Sequence, residues 1–440
     1  MSIYGIDLGT TNSLIGLEKT GYISNLVPSC ADIETGKAGA SQYDNMSAKR
    51  SFKVDISMGT EGIMPRTASK YVLEELCRQV KDDKVKNVVI SVPAYFSDSQ
   101  RTATITAAEM AGLNVHGLVN EPTAAAMYIA KDKKGLFVVY DLGGGTFDVS
   151  IIDSRFGAFD VQATSGCSVG GDDFDKIIMK HFIKEASIPV HRLSKTERVL
   201  LQHMCSLYKV EMQKKKEDLT VDLSKFGGHS MLLTVSNYIE LMKLAFSQTI
   251  NCMTKLITQW IPDGEVFDIL LVGGSTHCPF LRDWLEEVTG RNVAPLTYDP
   301  DRVVGQGAAL FASLIESGEV GTTVSDVTKE LSIGLYDGTV SVIVPANSKI
   351  PLSMEQVFSN PVDATSLNLK LYQGESMFVK DNECIGELVW DYDTPKPAQT
   401  GQVIVTIDID ANGVITFSAH ELLHPPKVVV LNRISKEVKK

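Results

Sequence analysis

A strand–turn–strand motif that occurs twice constrains this chain more than any other feature. Residues 4–13 and 140–149 each carry an aspartate at the end of an apolar strand, followed by a turn that contains glycine and threonine. Glycine lets a backbone approach a phosphate closely, because it has no Cβ. Exposed N–H groups and hydroxyls bind phosphate oxygens, and carboxylates hold the hydration shell of Mg²⁺. One such turn usually only reverses the chain, but two that face each other predict a nucleotide clamp.

Length and composition exclude several classes of protein. A chain of 440 residues with 44% hydrophobic residues is expected to form two or three domains with sizeable cores. Its net charge of −12 argues against nucleic acid or an anionic membrane as a partner. The seven cysteines form no C-x-x-C pair, which is typical of reduced thiols in a cytoplasmic protein. The first strand begins so early that no signal peptide is expected, and the apolar runs are too short to span a membrane.

Strands and helices alternate through the first three quarters of the chain, which predicts an α/β architecture. Buried strands are predicted at residues 88–92 and 269–272, each an apolar run bounded by turn residues. Helices are predicted at residues 70–80, 97–110, from 121 onward, 172–186, 238–260, 279–290 and 303–315.

The pattern changes near residue 320, where residues 318–326 are rich in Gly, Thr and Ser and indicate a linker. Beyond it, apolar residues alternate with polar ones around Leu369 and Val405, which predicts antiparallel strands. Asn412-Gly413 predicts a hairpin turn. The expected domains are a nucleotide-binding domain at 1–318, a linker at 319–330, a β domain at 331–434 and a basic tail at 435–440.

Six motifs together resemble those of the Hsp70 (DnaK-like) molecular chaperones, and the match extends in order over nearly the whole chain. They lie at residues 5–13, 92–96, 120–126, 141–148, 272–276 and 407–413. The resemblance implies an actin-like (duplicated, ribonuclease H-like) ATPase domain, followed by an all-β sandwich that binds short extended peptides of unfolded proteins. It also implies ATP or ADP with Mg²⁺, and usually K⁺, in the cleft. A J-domain co-chaperone and a nucleotide exchange factor are the partners that the family implies.

The resemblance assigns roles to individual residues. Lys49, Glu121, Asp141 and Thr146 match catalytic positions, and Asp7 and Asp141 match the metal shell. The alternatives are that Lys49 is a solvated surface lysine and that Glu121 is a carboxylate favoured by the start of its helix. The nucleotide-binding positions are Gly9, Thr10, Thr11, Asn12, Gly143, Gly144, Gly145, Gly170, Gly171, Lys209, Gly273, Gly274, Ser275, His277 and Asp301.

Three further residues, Pro93, Arg101 and Asp326, match positions that in the family relay the nucleotide state to the linker. The alternative for the first two is a proline that ends a strand and an arginine on a helix surface. In the family, ATP binding docks the two domains and opens the peptide site, and hydrolysis closes it.

The sequence departs from the family at the positions that bind adenosine. Ser206 stands in place of a glutamate, Gln213 in place of a serine, and His277 in place of an arginine that stacks on adenine. His277 is expected to be a neutral packing substitute rather than a metal ligand. Loss of an arginine–base stack costs about 1 kcal/mol, so the affinity for ATP is expected to fall without vanishing.

Other departures affect the outer regions and the coupling elements. The segment between Pro28 and Pro93 is short, so the outer part of the first lobe is expected to hold little more than one helix. Thr and Ser replace the family's leucines at residues 322–325, and Gly117 replaces an arginine that helps to receive a J-domain protein. The chain is expected to lack the helical lid of the family.

Three functional hypotheses follow. The first is a slow, minimal Hsp70-type ATPase that binds peptides, with weakened coupling between its domains. The second is a non-catalytic, nucleotide-gated binding or assembly factor with the same fold. The third is a sugar or acetate kinase, which shares the doubled turn but has neither a C-terminal β-sandwich nor the long motifs above.

Overall fold

A computed structural model describes residues 2–43, 45, 47–53, 55–56, 63–80, 84–94, 96–291, 293–319, 324–327, 329–411, 413–421 and 429–431. Of residue 63 and of residues 324–327 and 429–431 only the backbone is described. Thr322 and Thr323 of the predicted linker, Asn412 of the predicted turn and the predicted tail lie outside the described residues, as does the side chain of Asp326. In the part of the chain that is described, no helix has the length and apolar character needed to cross a membrane.

The helices fall close to the positions that the sequence pattern predicts, with one addition. They are α1 Ile63–Gln79, α2 Asp98–Met110, α3 Glu121–Ile129, α4 Gly171–Glu185, α5 Lys195–Lys215, α6 Val235–Trp260, α7 Leu281–Thr289 and α8 Val303–Ser317. Helix α1 begins seven residues earlier than predicted, since Pro65 lies in its first turn, where proline costs no hydrogen bond. Helix α5 was not predicted at all.

The strands of the α/β part come first in the chain. They are β1 Ile3–Leu8, β2 Asn12–Leu17, β3 Tyr22–Ile23, β4 Val27–Pro28, β5 Ala31–Asp32, β6 Lys37–Ala38, β7 Asn87–Val92, β8 Asn114–Asn120, β9 Leu136–Leu142, β10 Phe147–Asp153, β11 Phe159–Cys167, β12 Leu219–Val221, β13 Met231–Leu233 and β14 Asp268–Val272.

The remaining strands form the β part. They are β15 Val324–Val327, β16 Leu331–Gly334, β17 Val340–Val344, β18 Lys349–Ile350, β19 Leu352–Ser359, β20 Ala364–Gln373, β21 Glu383–Lys396, β22 Gln402–Ile409, β23 Ile415–Glu421 and β24 Val429–Leu431. The predicted hairpin is confirmed, because β22 pairs with β23 and Gly413 adopts a positive φ of 73° between them.

The chain divides into two compact units. The first contains residues 1–95 and 104–323, and the second contains residues 96–103 and 324–440. Strand β15 lies within the predicted linker, and its residues Asp326 and Val327 pair with β18.

Two sheets of the first unit repeat one arrangement. In the first sheet β1 and β2 form a hairpin and β7 runs parallel to β1. In the second sheet β9 and β10 form a hairpin and β14 runs parallel to β9. The doubled strand–turn–strand prediction is therefore confirmed, and the two turns begin after equivalent strands, β1 and β9. Helices α4, α5 and α6 pack with the second sheet around one core that includes Tyr140, Phe174 and Phe246.

The second unit consists mainly of two four-stranded antiparallel sheets. Their strand orders are β17-β16-β20-β21 and β19-β22-β23-β24. Both sheets contribute alternate residues to one core, such as Leu369 and Leu371 from β20 and Val405 and Ile407 from β22. This is the period of 2 that the sequence shows.

Candidate functional site

The two repeated turns meet at a cavity of about 600 Å³ in the first unit. Gly144 packs so closely on the other turn that a Cβ at this position would lie 2.1 Å from Thr11 Oγ1. Glycine therefore allows the two turns to approach this closely without displacing the Thr11 hydroxyl. The turn residues that line the cavity are Gly9, Thr10, Thr11, Asn12, Gly143, Gly144 and Thr146.

The start of helix α4 is fastened to the second turn through the backbone. The Gly171 N–H donates to Gly143 O at 3.0 Å, and the Asp172 N–H donates to Gly144 O at 2.7 Å. A Cβ on Gly170 would lie 2.5 Å from the Gly144 carbonyl carbon, so Gly170 supports the turn from behind. Gly171 lines the cavity, whereas the predicted binding residues Gly145 and Gly170 do not.

A third turn that contains glycine follows β14 and packs against the second turn. Gly273 has a φ of 84°, and a Cβ there would lie 2.4 Å from Leu142 O. Ser275 Oγ donates to Gly143 O at 3.0 Å. Gly273, Gly274 and Ser275 all line the cavity, where the sequence places them.

Three carboxylates and one lysine form a charged cluster beside the two turns. Asp7 and Asp141 lie near the ends of β1 and β9, Glu121 begins α3, and Lys53 forms an ion pair with Glu121. All four line the cavity. The Lys53 side chain is only 4% exposed, so its charge is taken out of water and depends on these carboxylates for compensation.

Burial and mutual repulsion act strongly on the two aspartates. Burial, followed by the charge of Glu121, raises the pKa of Asp7 to about 7, although Lys53 and a hydrogen bond from Ser91 act in the opposite direction. The pKa of Asp141 is also raised, first by burial and then by the charges of Glu121, Asp148 and Asp7. A bound cation would stabilise the ionised forms of two buried carboxylates that repel each other in this way.

Asp141 gives independent evidence that a cation fits. Its Oδ2 atom is buried and, among the described residues, has no hydrogen-bond partner. A buried carboxylate oxygen without a donor is costly, and a hydrated Mg²⁺ would supply what it lacks. Asp7 and Asp141 are therefore suited to hold the water shell of a magnesium ion.

Lys49, the predicted catalytic lysine, does not lie in the cavity. Its backbone pairs with Ala31 in an isolated bridge, and its side chain is exposed. Neighbouring residues of an extended segment point to opposite sides, and here Ala48 is the buried one. In the structure Lys53, and not Lys49, lines the cavity. The signal for Lys53 was weak: a lysine between two apolar residues, Phe52 and Val54.

Helix α5 supplies one wall of the cavity, and sequence reasoning missed it. A capping box between Ser194 and Glu197 starts the helix, and this pattern is visible in the sequence. Lys209 forms an ion pair with Asp175 at 2.7 Å and donates to Gly171 O at 2.8 Å. Its amine is thus committed to the protein. Side chains at helical spacing line the cavity: Ser206, Lys209, Val210, Gln213 and Lys214.

His277 differs from the neutral packing group that the sequence suggested. Its Nε2 atom lies 3.0 Å from Asp301 Oδ2. The hydrogen bond to Asp301, aided by the charges of Asp301 and Asp299, raises the pKa of His277 and favours the charged ring. His277 and Asp301 both line the cavity, as predicted for nucleotide-binding residues.

For two of the predicted relay residues, Pro93 and Arg101, the structure gives the burial of the side chain. Pro93 and Arg101 are buried, so Arg101 is not the surface residue of the alternative interpretation. Their relay role stays a prediction.

A second cavity, of about 650 Å³, lies in the second unit. Apolar side chains of β16, β19 and β20 line it: Ile333, Phe358, Leu367 and Leu369. The sequence places peptide binding in the region of residues 354–388, but neither Met354, which is exposed on β19, nor Leu388, which is buried in the core, lines this groove. Buried Asn360 shapes its rim by donating to Val362 O at 2.8 Å.

Comparisons with known proteins agree on one family. The family model described as Hsp70 protein matches residues 40–434. The chain is 34% identical over 369 residues to the "Iron-sulfur cluster biogenesis chaperone, mitochondrial" of Saccharomyces cerevisiae. That alignment covers 79% of this chain and 55% of the relative, so the chain spans about half of the relative's length.

Proposed function

Because this chain belongs to the Hsp70 family, we propose that it is an ATP-dependent chaperone with an actin-like ATPase domain and a peptide-binding β-sandwich. The observation that carries the proposal is the meeting of the two glycine–threonine turns beside Asp7 and Asp141. Backbone N–H groups, hydroxyls and paired carboxylates are the groups that a nucleotide triphosphate with Mg²⁺ requires. The family supplies the identity of the nucleotide, ATP.

Each part of the cavity has a separate task in hydrolysis. Asp7 and Asp141 would hold the water shell of Mg²⁺, and the bound ion would neutralise charge on the phosphates. The turns around Thr11 and Gly144 hold the phosphate oxygens, and Lys53 offers its charge to the transferring group. Thr146 and Glu121 line the same cavity and would orient the attacking water. Water attacks the terminal phosphorus, the bond to the bridging oxygen breaks, and ADP and phosphate leave.

The groove of the second unit is the proposed peptide site. Its apolar floor of Phe358, Leu367 and Leu369 suits the side chains of an extended apolar segment. Exposed apolar groups at Tyr336 and Val362, which are 83% and 52% exposed, extend this surface. A J-domain co-chaperone and a nucleotide exchange factor are proposed as partners by family membership.

Single-turnover hydrolysis tests the function directly. Radiolabelled ATP is mixed with excess protein, and phosphate release is followed with and without an unfolded apolar peptide. Slow hydrolysis that the peptide accelerates supports the proposal. Tight ATP binding without hydrolysis favours the second candidate, a nucleotide-gated binding or assembly factor. Transfer of phosphate to a sugar would identify a kinase instead.

The residues expected to bind the base predict weak selectivity between purines. Two of them, Gln213 and His277, line the cavity, and an amide can donate or accept a hydrogen bond at either purine edge. We expect the affinities for ATP and GTP to lie within about tenfold of each other in calorimetry. Strict preference for adenine would contradict this expectation.

Peptide affinity is expected to change little between the ATP and ADP states. The linker has Thr322, Thr323 and Ser325 where leucines of the family would bury about 1.5–3 kcal/mol each. Without that free energy, exchange of ATP for ADP cannot strongly shift the balance between the docked and undocked states of the two domains.

Fluorescence anisotropy of a labelled apolar peptide measures this dependence. Replacing Thr322, Thr323 and Ser325 together by leucine should restore part of it. A wild-type ATP-to-ADP affinity ratio above about tenfold, or ~1.4 kcal/mol, would return the chain to the fully allosteric class.

A further inference from the structure

His277 and Asp301 form a polar pair in the nucleotide cavity that the hydrolysis described above does not use. The His277 Nε2 and Asp301 Oδ2 atoms are 3.0 Å apart, and the two side chains are 42% and 29% exposed. Both residues line the cavity. One ring nitrogen of His277 is therefore fixed, while much of the aromatic surface stays open to a ligand.

The pair is built from two short segments that hold each other in place. His277 ends the 3₁₀ turn Gly274–His277 that follows β14. Gly274 lies against Asp301, since a Cβ at this position would be 2.5 Å from Asp301 Oδ1. The Asp301 N–H in turn donates to Asp299 Oδ1 at 3.0 Å. The position of the imidazole ring is set by the fold rather than by a single hydrogen bond.

The charged groups around the ring favour its protonated form. Asp301 and Asp299 stabilise the imidazolium, whereas partial burial and Lys214 on α5 oppose it. The net effect is a raised pKa for His277. Since an ordinary histidine titrates near pH 6.5, this ring carries its charge further into the neutral range.

Helix α5 brings complementary groups to the same cavity. Val210 offers an apolar surface that is 38% exposed, and Gln213 offers an amide donor and acceptor. A cationic ring, an apolar side chain and an amide together match the flat face and polar edge of a nucleobase.

We propose that His277, held by Asp301, binds the nucleobase as a cation, so that the affinity for nucleotide, but not for triphosphate alone, falls as the pH rises. This inference rests on the proposed nucleotide-binding function. The neutral ring would lose the cation–π attraction and keep only its packing contact. A cation over an aromatic face at a partly exposed site changes affinity by about two- to fivefold.

The test compares two probes on the full chain by calorimetry. The affinities for ATP and for inorganic tripolyphosphate, both with Mg²⁺, are measured at about pH 6 and about pH 8. Tripolyphosphate accounts for the titration of the phosphates and of the carboxylates near Mg²⁺. We expect the ratio of ATP affinity to tripolyphosphate affinity to be about two- to fivefold higher at the lower pH.

Variants separate the charge from the shape of the ring. In His277→Arg the ratio should stay high at both pH values, and in His277→Gln it should stay low at both. Asp301→Asn removes the ion-pair partner and should move the transition to lower pH. His191→Gln changes an exposed histidine of the 3₁₀ turn Val190–Arg192 and should leave the pH dependence unchanged.

The outcomes distinguish this inference from the function on which it rests. A wild-type ratio that is the same at both pH values, or a pH dependence that persists in His277→Gln, would overturn the role of His277 while nucleotide binding stands. Binding of neither probe would overturn the nucleotide-binding function itself.

Discussion

Replacing Lys53 by methionine should lower single-turnover ATP hydrolysis by about 10²-fold or more, while the same change at Lys49 should leave the rate nearly unchanged. Lys53 is buried in the cavity beside Glu121, whereas Lys49 is exposed outside it. Methionine keeps the volume of the aliphatic stem and removes only the charge. The two lysines are four positions apart, so the Lys49 variant is a matched control.

A second readout follows from the effect of Lys53 on Asp7. Lys53 lowers the pKa of Asp7, which burial and Glu121 raise to about 7. Without Lys53 this pKa should rise further, and the carboxylate should be more often protonated at neutral pH. Binding of Mg²⁺ with ATP should therefore weaken near neutral pH in Lys53→Met and recover as the pH increases.

One outcome would contradict the assignment of Lys53. If Lys49→Met abolished hydrolysis and Lys53→Met did not, the assignment from the family motif would be correct and the geometry of the cavity would not describe the active state. Circular dichroism verifies that each variant is folded.

The sequence predicted the centre of the site because its chemistry depends on backbone contact. Gly144 and Gly273 are recognisable since a Cβ would collide with Thr11 or with Leu142. Glycine is favoured where a Cβ would meet such a neighbour, so the motif around it can be recognised in the sequence. Regular alternation of apolar and polar residues made β20, β22 and β23 of the second unit predictable.

The choice between Lys49 and Lys53 could not be made from the sequence. It depends on the bridge between Lys49 and Ala31, which turns one lysine outward. A one-residue shift in the register of an extended segment exchanges its buried and exposed side chains, and no local sequence pattern marks such a shift. Helix α5 escaped notice because it is rich in charged residues, although the Ser194–Glu197 capping box marks its start.

The state of His277 was also beyond local reasoning. Its partner Asp301 is remote in sequence and reaches the ring because Gly274 leaves room for it. One tertiary contact raises the pKa of a histidine that looks like a neutral substitute in the sequence.

The second large effect concerns stability. Replacing Lys209 by methionine should reduce the free energy of unfolding of the first unit by about 3–5 kcal/mol, because it leaves the buried Asp175 carboxylate without its cation. The Lys209 and Asp175 side chains are 9% and 6% exposed, and their charged atoms are 2.7 Å apart. The Gly171 carbonyl would also lose its donor at the cavity wall.

This loss should depend on pH in a defined direction. Burial already raises the pKa of Asp175, and Lys209 lowers it. Without Lys209 the folded-state pKa lies further above the unfolded value, so the folded protein binds a proton that the unfolded chain releases. Stability must then fall as the pH rises, and the variant should lose more stability at about pH 8 than at about pH 5.

Urea unfolding of a Trp390→Phe background measures this unit alone, because Trp260 and Trp284 are the remaining tryptophans and both lie in it. Lys215→Met is the control on the same helix, since its ion pair with Glu211 is exposed and should contribute less than about 1 kcal/mol. Replacing both Lys209 and Asp175 by apolar residues should recover much of the stability, as no charge is then left buried. An equal, small loss in Lys209→Met and Lys215→Met would show that water reaches the Asp175 carboxylate, and the cavity wall would be open rather than closed.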